Sequence, residues 1–348
     1  MFATLIDILT DRPRPFADIK DIGGNDHLRA MESLQAKTSW ENDRTRKIVE
    51  DLSRKKPASF LDIQELKKTI HLYRQTVIFS LVSKEYLMVG ENWASHISSL
   101  GITDYILFCG DQESYAYYHS RGLPCIRLDL PTVSGDTLNS AGFLPKGLLM
   151  ASMKFLICQL LIDEGFNVIF SDIDAFWIKN PLDLLERDTH DVAFQNIYLF
   201  PNEIVQLWGF AACSGFFFIR NTKAGKLLTS SAQRYVLENC DDQAAFNLAL
   251  VQQGIRWSYK EPEQVKSTHG NPIRVFFQKT RTGHGIYTPV KGTSEDGNLT
   301  VTSLPQLLFR RHMFMELPLA SVFIFHPNSP KSDRGKIQVF AKYGFRVS

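Results

Sequence analysis

Cysteine is scarce in this chain. Its five cysteines, Cys109, Cys125, Cys158, Cys213 and Cys240 in 348 residues, form no Cys-x-x-Cys pair. Neither a zinc ribbon nor a disulfide framework has the residues it needs. Several cysteines sit in apolar runs such as Ile106-Leu-Phe-Cys109, so they read as small buried hydrophobes in a reducing compartment. Excess charge is missing too: 39 Lys and Arg against 37 Asp and Glu leave a formal +2. Phosphate-backbone affinity needs a concentrated basic surface, so no nucleic-acid partner is expected. Short basic clusters such as Lys55-Lys56 and Arg310-Arg311 then read as solvated surface. The longest apolar stretch, Leu207 to Ile219, is well short of the roughly 20 residues that cross a bilayer, and no membrane span is expected. The segment Met1 to Pro13 has no basic leader, and Asp7 breaks its apolar run. It does not resemble a signal peptide, so a cytoplasmic location is expected. Repeats and low-complexity tracts are absent. So are Gly-x-x-x-x-Gly-Lys-Ser/Thr, His-Glu-x-x-His and Gly-x-Ser-x-Gly, which leaves P-loop, zinc-protease and serine-hydrolase chemistry without support.

What is present is a change of rhythm near residue 75. Residues 1–74 are charged and helical in pattern, with candidate amphipathic segments at Asp26 to Leu34 and Thr45 to Leu52 and a break at Pro57. They read as an accessory helical region, and 75–348 as the main domain. From Thr76 an apolar run, Thr76 to Val82, precedes a helical stretch from Lys84 to Leu100 that closes at Gly101. Asp104 to Cys109 is a second strand, Gln112 to Ser120 a helix, and Pro124 to Asp129 a third strand. Leu148 to Glu164 is a helix closing at Gly165, and Asn167 to Ser171 a fourth strand. Four alternations predict a mainly parallel α/β sheet with helices on both faces and ligands at the carboxyl ends of its strands. Further strands are expected at Asp191 to Asn196, Ser214 to Arg220, Arg256 to Lys260 and Arg274 to Gln278, and helices at Lys223 to Glu238 and Asp242 to Gln253. Leu130 to Lys146, rich in Gly, Ser and Thr, reads as a long loop near the site.

The fourth strand runs straight into Asp172-Ile-Asp174 within Asn167-Val-Ile-Phe-Ser-Asp-Ile-Asp-Ala-Phe-Trp-Ile-Lys-Asn-Pro181. A strand's side-chain period of two would send both carboxylates to one side and Ile173 back into the core. Two like charges so close raise each other's pKa unless a cation lies between them, and a divalent metal with oxygen ligands is the usual occupant. A solvated turn at a strand end is the plainer reading of an Asp-x-Asp on its own.

Its company decides. Met153-Lys154-Phe155 precedes it, and Cys213-Ser-Gly-Phe-Phe-Phe-Ile-Arg220, Asp241-Asp-Gln-Ala-Ala-Phe-Asn247 and Phe323-Ile-Phe-His-Pro-Asn328 follow. Together these resemble the nucleotide-diphospho-sugar transferases of the glycosyltransferase-A fold, over roughly Thr76 to Phe345. The likeness is greatest to the branch that adds xylose, arabinose or galactose with retention. The resemblance implies a Rossmann-like sheet flanked by helices, with the N-terminal helical appendage outside it. It implies Mn2+ or Mg2+ held by Asp174 and His326 with Asp172, which also contacts the donor's ribose or sugar. Ser214 and Gly215 would let backbone approach that sugar, and Asp242 with Gln243 would lie beside it and the acceptor hydroxyl. Lys154 would reach the diphosphate as a fixed cation. Ser80, Val82 and Ser83, at the first strand's end, would meet the nucleotide, with Asp111 bonding its base. Helix capping at Asp241 or Asp242 and a solvated Lys154 are the plainer alternatives.

The expected activity is transfer of a sugar from a nucleotide diphosphate sugar, a UDP-sugar first, to a hydroxyl of a glycan, protein or small molecule. Two other readings use the same residues. A nucleotidyl or phosphoryl transferase also pairs aspartates with a metal, and a non-catalytic binding protein can retain the fold.

Overall fold

The computed structural model describes residues 24–37, 47, 51, 60–131, 145–197, 200–239, 241–258, 263–266, 272–275, 289–311, 319–330 and 332–345. Most of the expected helix at Thr45 to Leu52 and most of the loop from Leu130 to Lys146 lie outside these residues. Elements in the first half are α1 (Gly24–Lys37), α2 (Ile63–Ile70), β1 (Thr76–Val82), α3 (Leu87–Ser99), β2 (Tyr105–Cys109), α4 (Gln112–His119), β3 (Cys125–Arg127), α5 (Pro145–Asp163) and β4 (Asn167–Ser171). Then come β5 (Phe176–Trp177), α6 (Leu182–Arg187), β6 (Val192–Ile197), α7 (Asn202–Trp208), β7 (Ala211–Ile219), α8 (Lys223–Asn239) and α9 (Asp242–Gln252). The chain closes with β8 (Arg256–Ser258), β9 (Glu263–Lys266), β10 (Pro272–Val275), β11 (Val290–Thr293), β12 (Thr300–Ser303), β13 (Phe309–Arg310), β14 (Ile324–Phe325) and α10 (Asp333–Lys342).

Nine of the described strands form one sheet, in the order β3-β2-β1-β4-β7-β6-β12-β11-β8. From β3 to β4 every pairing is parallel, as the alternation of strands and helices requires. Beyond β4 the sheet is mixed: β7 runs antiparallel to both β4 and β6, β6 pairs parallel with β12, and β11 is antiparallel to its two neighbours. The expected α/β sheet is present, with its parallel half carrying the first four strands.

Both faces are covered, which is why these strands are apolar at nearly every position. Along β1, Val77 and Phe79 enter one core with α5, α8 and α9, while Ile78 and Val82 enter the other with α3. The helices α3 and α5 stop at Gly101 and Gly165, whose φ of 74° and 103° lies in the left-handed region that a side chain disfavours. Ahead of β1, Phe60, Leu61, Leu66 and Ile70 are buried in the first core, and Leu61 bridges Leu128 beyond β3. Helix α1 packs on α7 and α9. A three-stranded sheet, β13-β14-β5, stands beside the carboxyl end of β4. It brings the chain's last third next to Asp172.

Candidate functional site

Strand β4 ends at Ser171, one residue before the acidic pair, so alternation along a strand is not what aligns the carboxylates. A tight turn does it: the Ala175 N–H donates to the Asp172 carbonyl at 2.9 Å, which folds Asp174 back while Ile173 is buried in the second core. The turn is anchored on both sides. Asp172 N–H donates to the Gly215 carbonyl of β7 at 2.7 Å, and the Ser171 hydroxyl accepts the indole N–H groups of Trp93 and Trp177 at 3.1 and 3.0 Å.

His326 follows β14 directly. Its N–H donates to the Arg310 carbonyl at 2.8 Å, and its Nε2 lies 3.6 Å from Asp172 Oδ2 and 3.3 Å from Asp174 Oδ1. One ligand atom from each of Asp172, Asp174 and His326 lies within 4.8 Å of the others. Gly215 makes room for them. A Cβ there would run into Asp172 Oδ2 and the Cε1 of His326, so glycine is required by the acidic cluster itself. Two carboxylate oxygens and one imidazole nitrogen suit a divalent cation of intermediate hardness such as Mn2+.

Lysines balance the cluster. Lys336 of α10 pairs with Asp174 Oδ2, which also accepts from Ser329 Oγ; the Lys336 ammonium donates to Ser329 at 2.9 Å. Burial opposes ionisation of Asp174, but the Lys336 charge and the His326 hydrogen bond outweigh it and hold the carboxyl well below its ordinary range. Asp172 goes the other way. Although its side chain is part-exposed, partial desolvation, joined by Asp174 and Asp242, raises its pKa despite Lys154 and His326. Burial and the Arg311 charge work against a proton on His326, yet its bond to Asp174 raises its pKa overall.

Lys154 is buried, its ammonium 4.0 Å from the centre of the Phe170 ring. It pairs with Asp242 and donates to the Ser214 carbonyl at 2.9 Å, while Ser214 Oγ donates to Asp242 Oδ2 at 2.9 Å. Burial alone would disfavour both charges; each partner holds the other ionised, so Lys154 is raised and Asp242 lowered. Asp241 is the helix cap, accepting the Ala244 N–H at 2.7 Å, and burial beside Asp242 pushes it up to about 6. The Asn247 side chain accepts from the Ala212 N–H and donates to the Ala212 carbonyl, both at 2.8 Å. That clamp fixes α9 against β7 and keeps Asp242 next to Ser214.

Other expected residues lie apart. Gln243 donates to the Phe200 carbonyl at 2.5 Å. Ser80 Oγ is buried with no hydrogen-bond partner among the described residues. The Val82 carbonyl accepts the Gly110 N–H at 2.8 Å and that of Ser83 accepts from Tyr86 at 2.9 Å. Asp111 caps α4, taking the Ser114 N–H at 2.8 Å and the Lys84 N–H at 3.0 Å. Arg310-Arg311 corrects the surface reading: Arg310 is fully buried, and Arg311 Nη1 is 2.7 Å from His326 Nδ1. Arg310 is the second residue of β13, whose Phe309 packs into the second core, and the Leu307 carbonyl accepts from its Nε at 2.9 Å, drawing the guanidinium inward. Lys336, Ser329, Gln195 and Arg311 escaped the sequence reading because no motif spacing ties them to the aspartates.

An α/β sheet with two carboxylates, a histidine, a buried ammonium group and a part-buried one at a strand's carboxyl end is a framework suited to metal-assisted chemistry on phosphorylated substrates. Residues 100–340 match the family profile described as nucleotide-diphospho-sugar transferase, over more than half of the chain, and the chain belongs to that family. It is 24% identical over 163 residues to Beta-arabinofuranosyltransferase RAY1 of Arabidopsis thaliana, covering 46% of this chain and 30% of that protein. It is 27% identical over 198 residues to UDP-D-xylose:L-fucose alpha-1,3-D-xylosyltransferase 3 of the same plant, covering 51% of this chain and 50% of that protein. The chain thus spans half or less of the length of these relatives. Mouse xyloside xylosyltransferase 1 in its apo form superposes with a TM-score of 0.33 at 12% identity, covering 51% of this chain and 82% of that one, a likeness too partial to fix the fold by itself. The matched span includes the acidic turn, Lys154, Asp242, His326 and Lys336.

Proposed function

We propose that this protein is a metal-dependent glycosyltransferase that moves a sugar from a nucleotide diphosphate donor, UDP-linked, to an acceptor hydroxyl with retention. The observation that carries the reading is the meeting of Asp172, Asp174 and His326, drawn from positions 154 residues apart at most, within 4.8 Å of one another. Asp174 and His326 would hold the cation, and Asp172 would share it while meeting the donor. When bound, a divalent cation takes up the charge that builds on the diphosphate as it leaves. Lys154 and Lys336 border the cluster as fixed ammonium groups that can face the same charge. Asp242, locked by Lys154 and Ser214, is a fixed negative charge suited to an anomeric carbon that becomes positive as its bond breaks, and Gln243 adjoins it. Ser80, Val82, Ser83 and Asp111 stand at the carboxyl ends of β1 and β2, where the nucleoside is assigned.

The UDP donor and the pentose or hexose it carries are supported by the family and by the names of its relatives, and a divalent cation, Mn2+ first, by the Asp172, Asp174 and His326 cluster; a glycan, protein or small-molecule hydroxyl is the acceptor class. Residues 1–74 are proposed as a helical appendage on a catalytic domain of 75–348. A cytoplasmic location belongs to the same proposal, supported by Cys109, Cys125, Cys158 and Cys213, all buried free thiols. The test is a panel of sugar nucleotides incubated with and without Mn2+. Mn2+-dependent release of UDP from at least one is expected; no release from any of them would leave the binding-protein reading.

A further inference from the structure

We propose that Gln195 is a positioning residue that selects the metal-binding tautomer of His326, and that Arg311 holds the opposite tautomer in the metal-free protein. The inference rests on the metal site proposed above. An imidazole can offer Nε2 to a cation only when that nitrogen carries no proton, and the proton of the neutral ring then sits on Nδ1. What faces Nδ1 therefore sets how readily His326 becomes a ligand.

Three groups face it: Cys213 Sγ at 4.0 Å, a weak partner that can donate or accept, and two nearer ones that ask for opposite states. Arg311 Nη1 is 2.7 Å from Nδ1, and a guanidinium is only ever a donor. That contact needs a lone pair on Nδ1, which puts the proton on Nε2, aimed at Asp174 Oδ1 3.3 Å away. Gln195 Oε1 lies 3.2 Å from the same Nδ1. An amide oxygen only accepts, so this contact needs the proton on Nδ1 and frees Nε2. The orientation of the Gln195 amide is fixed: its Nε2 donates to the Arg310 carbonyl at 2.9 Å, which leaves the oxygen for the ring. The same carbonyl takes the His326 N–H, so ring and amide hang from one point.

Backbone geometry supports the assignment. Gln195 is fully buried on β6, at the irregularity between Phe194 and Asn196 where β6 slips against β7. Bulges re-aim side chains beside functional sites. The switch exchanges the two tautomers of the neutral ring: one proton leaves Nε2 for water, one from water arrives on Nδ1, and Arg311 gives up its hold.

Two measurements test it. First, 15N-imidazole spectra of the full-length protein with UDP, the His326 signals identified by their loss in His326→Ala, are recorded before and after diamagnetic Mg2+. The proton is expected on Nε2 without metal and on Nδ1 with it. Second, Mn2+ affinity in the presence of UDP is followed by the electron spin resonance of free Mn2+. Gln195→Leu, which cannot accept, is expected to weaken Mn2+ about tenfold or more, and Gln195→Glu, which can, to keep it within about threefold. A metal-free ring already protonated on Nδ1, or equal Mn2+ affinity in Gln195→Leu and wild type, overturns the proposal. Failure of wild type itself to bind Mn2+ removes the metal site, and with it the proposed function; the spectra without metal still report the Arg311 tautomer if Gln195→Leu does not fold.

Discussion

At Gly215 a single hydrogen atom separates a working cluster from a blocked one. Its backbone is unstrained, so alanine fits the conformation, but the added methyl collides with Asp172 and His326. Gly215→Ala is expected to cost about 1 to 3 kcal/mol of stability as the neighbours shift and to weaken Mn2+ at least about tenfold. Isothermal titration of Mn2+ with UDP present checks this; unchanged affinity would dismiss the crowding argument. Asp241 offers a test by pH. Its folded pKa of about 6 exceeds the roughly 3.9 of an unfolded aspartate, so the native state binds this proton more tightly. The stability it contributes is complete below about pH 4 and is lost as pH rises to about 6. At neutral pH the buried charge costs on the order of 3 kcal/mol. Asp241→Asn keeps the cap and drops the charge. Urea unfolding should therefore show the variant gaining on wild type between pH 4 and pH 7, and parallel pH profiles would refute the assignment.

The elements show what was legible and what was not. Strand β4 and its exit into an acidic pair were readable because an apolar run ending in Asp-Ile-Asp marks a strand and its end, while the pair's function was legible only from its company further along the chain. The turn that aligns the pair was not, since alternation predicts the same convergence by a different route. His326 could be singled out only through family resemblance; its delivery depends on β14 pairing with β5 and β13, three two-residue strands too short to leave a periodic signal. Arg310-Arg311 misled for a related reason: a charge pair looks solvated in any sequence, and only nearby carbonyls reveal otherwise. Ser171 illustrates how an element's end is fixed from outside it. Its hydroxyl satisfies two buried indoles, from α3 and β5. Ser171→Ala leaves both N–H groups without their acceptor, at about 1 to 3 kcal/mol each. A loss of roughly 2 to 6 kcal/mol in urea unfolding is expected, accompanied by weaker Mn2+ binding because the turn follows directly. A loss below about 1 kcal/mol would mean that water replaces the hydroxyl.

Across the whole molecule the site joins segments that share no local contacts: the turn after β4, β7, the start of α9, and the chain from β14 to α10. Strand and helix alternation gave the parallel half of the sheet, since each unit there is built from neighbours in sequence. The mixed half, with β12 pairing parallel to β6 across more than a hundred residues, had no such local signature. Ligands that bind this junction should stabilise all of it at once. Bound only to the native state, UDP with Mn2+ at about 100 times its dissociation constant adds about 2.7 kcal/mol, and for a chain of 348 residues that is a rise in melting temperature of about 4 °C. The rise should need both ligands, because two carboxylates repel a diphosphate that arrives without its cation. In Asp174→Asn the cooperative transition should persist, somewhat lower because Lys336 loses an ionic partner, while the rise induced by Mn2+ with UDP disappears. Differential scanning calorimetry of both proteins with each ligand alone and together measures all of this. A full rise in the variant would place the cation elsewhere in the fold.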